Sequence, residues 1–109
     1  MSAITTHALD AVLGKPASGL AVRLEKLTQS GWTSLSESAT DHDGRCRDLC
    51  PDGSDGAYRL TFAVDTYFAA QNRNSIYPEV TITFTVDGEH HYHIPLLLSD
   101  NSYTTYRGS

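Results

Sequence analysis

Residues 77–88 read YPEVTITFTVDG. Val80, Ile82, Phe84 and Val86 alternate with Thr81, Thr83 and Thr85. Alternation with period two puts the apolar set on one face of an extended chain and the hydroxyls on the other. It predicts a half-buried β-strand. Asp87-Gly88 is a turn signal, and residues 90–99 continue as HHYHIPLLLS. The two runs therefore read as a β-hairpin. Pro95 has no N–H to give a ladder, so the second strand is expected to have an edge or a bulge near that point.

The same reading extends outward in both directions. Residues 57–64, AYRLTFAV, make another strand, and residues 21–27, AVRLEKL, place Val22, Leu24 and Lys26 on one face. Residues 3–12, AITTHALDAV, open the chain as a strand, with a turn after it at residues 14–19, GKPASG. Residues 102–108, SYTTYRG, form the last strand. Seven or eight short strands separated by turn residues imply an all-β sandwich or barrel. One segment differs. Residues 65–72, DTYFAAQN, follow an N-cap candidate, Asp65, with helix formers, and predict about two helical turns.

Composition narrows the function. The chain has 109 residues, which implies one domain over residues 1–109. Apolar residues at 39% and charged residues at 19% are a globular balance rather than a disordered one. The net charge is −5 and there is no basic patch or polybasic run, which argues against nucleic acid and anionic lipid as partners. No run of about 18 apolar residues is present, so no membrane span is expected. The opening MSAITTHALD has neither a basic nor an apolar leader region, so a cytoplasmic location is expected.

The chemically capable residues are histidines and arginines. On the strand after Gly88, His91, His93, Pro95 and Leu97 point one way, and Tyr92, Ile94, Leu96 and Leu98 point the other. The second set is the core face, which leaves His93 outside it. On the opening strand Thr5, His7 and Leu9 share one face, and Ile4, Thr6 and Ala8 share the other. A strand histidine is ordinarily structural or solvated. It is also the side chain whose unperturbed pKa, about 6.5, suits proton transfer near neutrality. His91 and His93 form an H-x-H pair, so a structural zinc held with Cys46 and Cys50 is an alternative. Those cysteines lie in GRCRDLC, residues 44–50, read as a loop. No nucleophile elbow, Walker loop or dinucleotide fingerprint occurs, so water activated by histidine is favoured over a covalent serine.

Three separated stretches together resemble the transthyretin-related family and, within it, the 5-hydroxyisourate hydrolases. They are ITTHALDAVLGKPASGL at residues 4–20, TDHDGR at residues 40–45, and HYHIPLLLS with SYTTYRGS at residues 91–99 and 102–109. The terminal YRGS is that family's hallmark. The resemblance implies a transthyretin-like sandwich of two four-stranded sheets with one short helix. It implies a homotetramer, a dimer of dimers, with sites in the channel where the dimers meet. The implied reaction opens a ring amide of 5-hydroxyisourate, the product of urate oxidation, giving 2-oxo-4-hydroxy-4-carboxy-5-ureidoimidazoline. No metal or organic cofactor is implied.

Carried over by the same resemblance, the site comprises His7, Arg45 and His93 with the terminal Tyr106, Arg107, Gly108 and Ser109. Either His93 or His7 is then the general base, and Arg45 stabilises the oxyanion and orients the substrate. Tyr106 offers polar groups to a flat heterocycle, and Ser109 offers a terminal carboxylate that pairs with an arginine or orients a histidine. Two departures stand out. Residues 100–102, DNS, replace the family's usual Pro-Tyr-Gly-like turn, and CRDLC follows Arg45. The alternative function is a small-molecule carrier with its ligand in the tetramer channel, as in transthyretin. Transthyretin is similar over the same scaffold but lacks the histidines and the YRGS end.

Overall fold

The computed structural model describes residues 2–88 and 90–109. Among the described residues the chain forms β1 (Ser2–Asp10), β2 (Lys15–Pro16), β3 (Ala21–Thr28), β4 (Gly31–Ala39), β5 (Arg45–Gly53), β6 (Gly56–Phe62), α1 (Val64–Ala69), β7 (Val80–Val86), β8 (Tyr92–Ser99) and β9 (Ser102–Thr105). One sheet has the order β4-β3-β6-β7. The other has β2-β1-β8-β9 with β5 also on β1. Its five strands are only four across. β5 pairs with β1 from Ser2 to His7, β2 continues along the same edge at Leu9 and Asp10, and β8 takes the other edge. Two sheets four strands wide and one short helix are the expected architecture. No helix among the described residues is long and apolar enough to cross a membrane.

The core forms where the alternating apolar sets meet. Leu24, Leu60, Phe62 and Val80 come from one sheet and Ile4, Ala8, Leu96 and Leu98 from the other, all fully buried. Each large side chain so buried contributes about 1.5–3 kcal/mol. A one-residue slip would turn those groups outward and bring in hydroxyls on β7, Arg23 and Glu25 on β3, or His93 on β8, so the register is strongly fixed.

Three local expectations are corrected. β7 and β8 are not a hairpin: β7 pairs with β6, and β8 pairs with β1 and β9 in the other sheet. The connection crosses the sandwich instead, and the Tyr92 hydroxyl closes it by donating to Asp87 O (2.9 Å) and accepting from Asp87 N (3.0 Å). Residues 45–50 are strand, not loop, because the bulged pairing of β5 with β1 accommodates a polar sequence on an edge. Asp65 is not the N-cap of α1. Ala63 holds that position without a side-chain cap, and the helix is anchored by burial of Val64 and Phe68.

Pro95 lies on a central strand, yet its missing donor still leaves a mark. The β8–β9 ladder runs from Ser99↔Ser102 to Leu96↔Thr105 and then stops. The tail rejoins β8 only at His93↔Gly108, past the position where Pro95 has no N–H to offer.

Candidate active site

β1 and β8 run parallel with Thr5 opposite His93, and on the other edge of β1 His7 lies opposite Arg45. Residues opposite one another in a sheet project from the same face. Thr5, His7, His93 and Arg45 therefore gather on the outer face, while Ile4, Thr6 and Ala8 fill the inner one.

The motif around Arg45 is a folding device. The Thr40 hydroxyl donates to Ala17 O (2.6 Å) and accepts from Leu20 N (2.9 Å). An Asp41 carboxylate oxygen accepts from Asp43 N (2.9 Å) and Arg45 N (3.0 Å), curling residues 41–45 into a tight turn. Gly44 has φ +79°, and a Cβ there would sit 2.3 Å from Ala8 O. Only glycine lets this turn close onto β1, where Ala8 N donates to Gly44 O at 2.7 Å.

The tail is placed as tightly. Gly108 N donates to His93 O (2.8 Å). A Cβ on Gly108 would lie 2.6 Å from His93 Cδ2. The glycine thus packs its backbone against one edge of the imidazole and carries Ser109 into a cleft of about 340 Å³. Thr5, Arg45, Arg47, His91 and His93 line that cleft with it. His93 Nδ1 is 2.8 Å from Thr5 Oγ1. Among the described residues nothing hydrogen-bonds its Nε2. Burial, then the electrostatic influence of His91, Arg45 and His7 on its protonated form, hold the His93 pKa below the ordinary 6.5. Near pH 7 the ring is neutral, half-buried and has one uncommitted nitrogen.

The other expected residues are placed unevenly. His7 Nε2 is 2.8 Å from Asp43 O. A carbonyl only accepts, so that nitrogen carries a proton and is committed to the turn that holds Arg45. His7 does not line the cleft. Tyr106 is exposed, and the Arg107 guanidinium stacks 4.3 Å from the centre of the Tyr92 ring, at a separate opening beside Ile82 and Phe84. Of the four terminal residues, Gly108 and Ser109 reach the histidine. The zinc alternative loses its geometry: Cys46 is buried in the core, behind the sheet from its neighbour Arg45. Among the described residues His91, His93, Cys46 and Cys50 do not converge as metal ligands. The group that does converge is Asp41, His42 and Asp43, on an exposed turn. Thr5 and Arg47 were missed from the sequence. The shared face of Thr5 and His7 was a usable signal, but the parallel register that sets Thr5 beside His93 was not.

The model of the HIUase/Transthyretin family matches residues 4–108. The chain belongs to that family. The 5-hydroxyisourate hydrolase of Mus musculus is 43% identical over 113 residues, covering 99% of this chain and 96% of the mouse protein. The solved 5-hydroxyisourate hydrolase of Klebsiella pneumoniae superposes with a TM-score of 0.87 at 33% identity, covering 100% of this chain and 94% of that one. Transthyretin from Sparus aurata gives 0.91 at 31% identity, covering 96% and 95%. The HIUase/Transthyretin family thus holds hydrolases and transthyretins on one scaffold. The curated relatives make this member an enzyme, a hydrolase.

Proposed function

We propose that the protein hydrolyses 5-hydroxyisourate to 2-oxo-4-hydroxy-4-carboxy-5-ureidoimidazoline, a step of urate breakdown in the cytoplasm. The observation that carries the reading is His93: neutral, with Nδ1 engaged and Nε2 free, in a cleft lined by Arg45. His93 Nε2 takes a proton from water as the oxygen attacks the ring carbonyl carbon. The carbonyl electron pair moves onto oxygen, where the Arg45 guanidinium stabilises it. Collapse breaks the C–N bond, and the imidazolium returns its proton to the leaving nitrogen. His7 serves by holding the Arg45 turn through Asp43 O rather than as the base. Ser109 lies in the cleft with Arg45 and Arg47 and helps to close it around the substrate.

Assembly belongs to the same reading. The protein acts as a homotetramer in which outer faces meet, and the exposed Tyr106 and its neighbour Arg107 contribute to substrate binding at the junction between copies. The cleft's two histidines and two arginines weigh against an apolar-ligand carrier.

The test generates 5-hydroxyisourate in situ from urate with urate oxidase and follows its ultraviolet decay. His93→Ala is expected to lose about 10²–10⁴-fold in rate, and Arg45→Ala about 10²–10³-fold. Decay at the spontaneous rate with folded wild-type protein overturns the reading.

A further inference from the structure

Thr5 stands between two imidazoles. Its Oγ1 is 2.8 Å from His93 Nδ1 and 2.8 Å from His91 Nε2. A hydroxyl has one proton. With both rings neutral it donates to one nitrogen and accepts an N–H from the other. Two arrangements satisfy that rule, and they give His93 opposite chemistry. If Thr5 donates to His93, the proton of that ring sits on Nε2 and the ring cannot accept one from water. If Thr5 donates to His91, His93 carries its proton on Nδ1 and presents a bare Nε2.

We propose that Thr5 is a positioning residue that donates to His91 and thereby fixes His93 as the tautomer with an open Nε2. Three observations select this arrangement. Gly108 covers the Cδ2 edge of the ring and Thr5 covers Nδ1, so Nε2 is the nitrogen left for the cleft. Arg45 and Arg47 line that cleft, and their guanidiniums attract a lone pair and repel an N–H. His91 is exposed, so water satisfies its Nδ1–H at no cost. Among the described residues the groups facing His93 are His91 just before β8, Thr5 and His7 from β1, Arg45 and Arg47 from β5, and Ser109 from the tail. Thr5 is also β-branched and stiff about χ1, so its hydroxyl is held in place before substrate arrives. This gives the H-x-H pair a purpose without a metal: the first histidine sets the tautomer of the second.

The consequence for rate rests on the hydrolase reading, but the tautomer is a property of the free protein and can be measured without substrate. Imidazole ¹⁵N shifts of labelled wild-type protein at pH 8 are expected to show His93 protonated on Nδ1. In Thr5→Val, which keeps shape and removes the hydroxyl, the His93 proton is expected to move to Nε2. The kcat should fall by at least about tenfold with KM nearly unchanged, and Thr5→Ser should restore both readouts. An unchanged His93 tautomer in folded Thr5→Val, at whatever rate, overturns the proposal. Should that variant not fold, His91→Ala decides, since removing the acceptor must release the tautomer, and no change there is equally fatal. Wild-type protein that shows the expected tautomer but no hydrolysis would sink the hydrolase reading alone.

Discussion

β1 carries one polar cluster on each of its faces. On the inner face Asp10 is 1% exposed, and both its oxygens are saturated. Oδ1 accepts from Val12 N, Leu13 N and Arg73, and Oδ2 from the Tyr67 hydroxyl (2.8 Å) and Arg73 (2.6 Å). Burial pushes this carboxyl up, but the hydrogen bonds from Arg73, Leu13 and Tyr67 and the Arg73 charge outweigh it and hold the pKa at about 2. On the outer face His93 is also pushed toward its neutral form by burial, but there the electrostatic influence of His91, Arg45 and His7 reinforces the shift. One cluster spends its hydrogen-bonding capacity on itself, and the other leaves a nitrogen over. A fully satisfied polar cluster reads as a fastener, and an unsatisfied one as a site.

The largest break in that comparison comes from Arg73. It joins Asp10 to Asp100, so it ties the end of β1 to the turn between β8 and β9. Arg73→Ala leaves a buried carboxylate short of its cation and should cost about 3–5 kcal/mol of stability. The expected result in denaturant titration is a much lower midpoint, while the rate per folded molecule stays within about twofold of wild type. His93→Ala should do the reverse. If Arg73→Ala kept its midpoint, the fastener reading would fail.

The two clusters also separate along pH. Asp10 titrates at about 2 folded against 3.8 unfolded. Its stabilisation is fully present above 3.8 and is lost as pH falls through about 2, a swing of about 2 kcal/mol. His93 has a folded pKa below 6.5, so the unfolded chain binds its proton first. Stability therefore falls as pH drops below 6.5, until the folded ring also titrates. Midpoints measured across pH should show two separate losses, and His93→Gln should erase only the upper one. A variant that erased both would show that the clusters are coupled.

What the sequence disclosed follows the same division. Period-two alternation named the inner set on β8 and grouped the apolar residues of β3 and β7, because burial acts on each strand separately. It put His93 outside the core and set Thr5 and His7 on one face of β1. It could not say that β7 and β8 part company, because a Gly88 turn followed by an apolar strand looks the same whether the chain doubles back or crosses the sandwich. Residues 45–53 were opaque for a related reason. An edge strand held partly by β1 and interrupted by bulges needs no apolar alternation. The family likeness of TDHDGR and YRGS pointed to Arg45, Gly108 and Ser109 without giving the reason, which is steric at both glycines. It also brought in Tyr106 and Arg107, which share the tail's sequence but not its cleft.

The smallest expected effect comes from the tail itself. Gly108 has no need of a special backbone angle, so Gly108→Ala tests contact alone. The added methyl would fall 2.6 Å from His93 Cδ2 and 3.2 Å from Pro95 Cγ. Pro95 is locked in a central strand and His93 is held by Thr5, so the tail must give way. Little of the core depends on the tail, so stability should drop by only about 1 kcal/mol, the low end of overpacking costs. Hydrolysis should suffer more, because Ser109 leaves the cleft and the ring edge is uncovered. The discriminating measurement is the ratio: a Tm shift of a few degrees beside a loss of about tenfold in kcat/KM. Equal small losses in both would mean that the tail braces β8 and does nothing else.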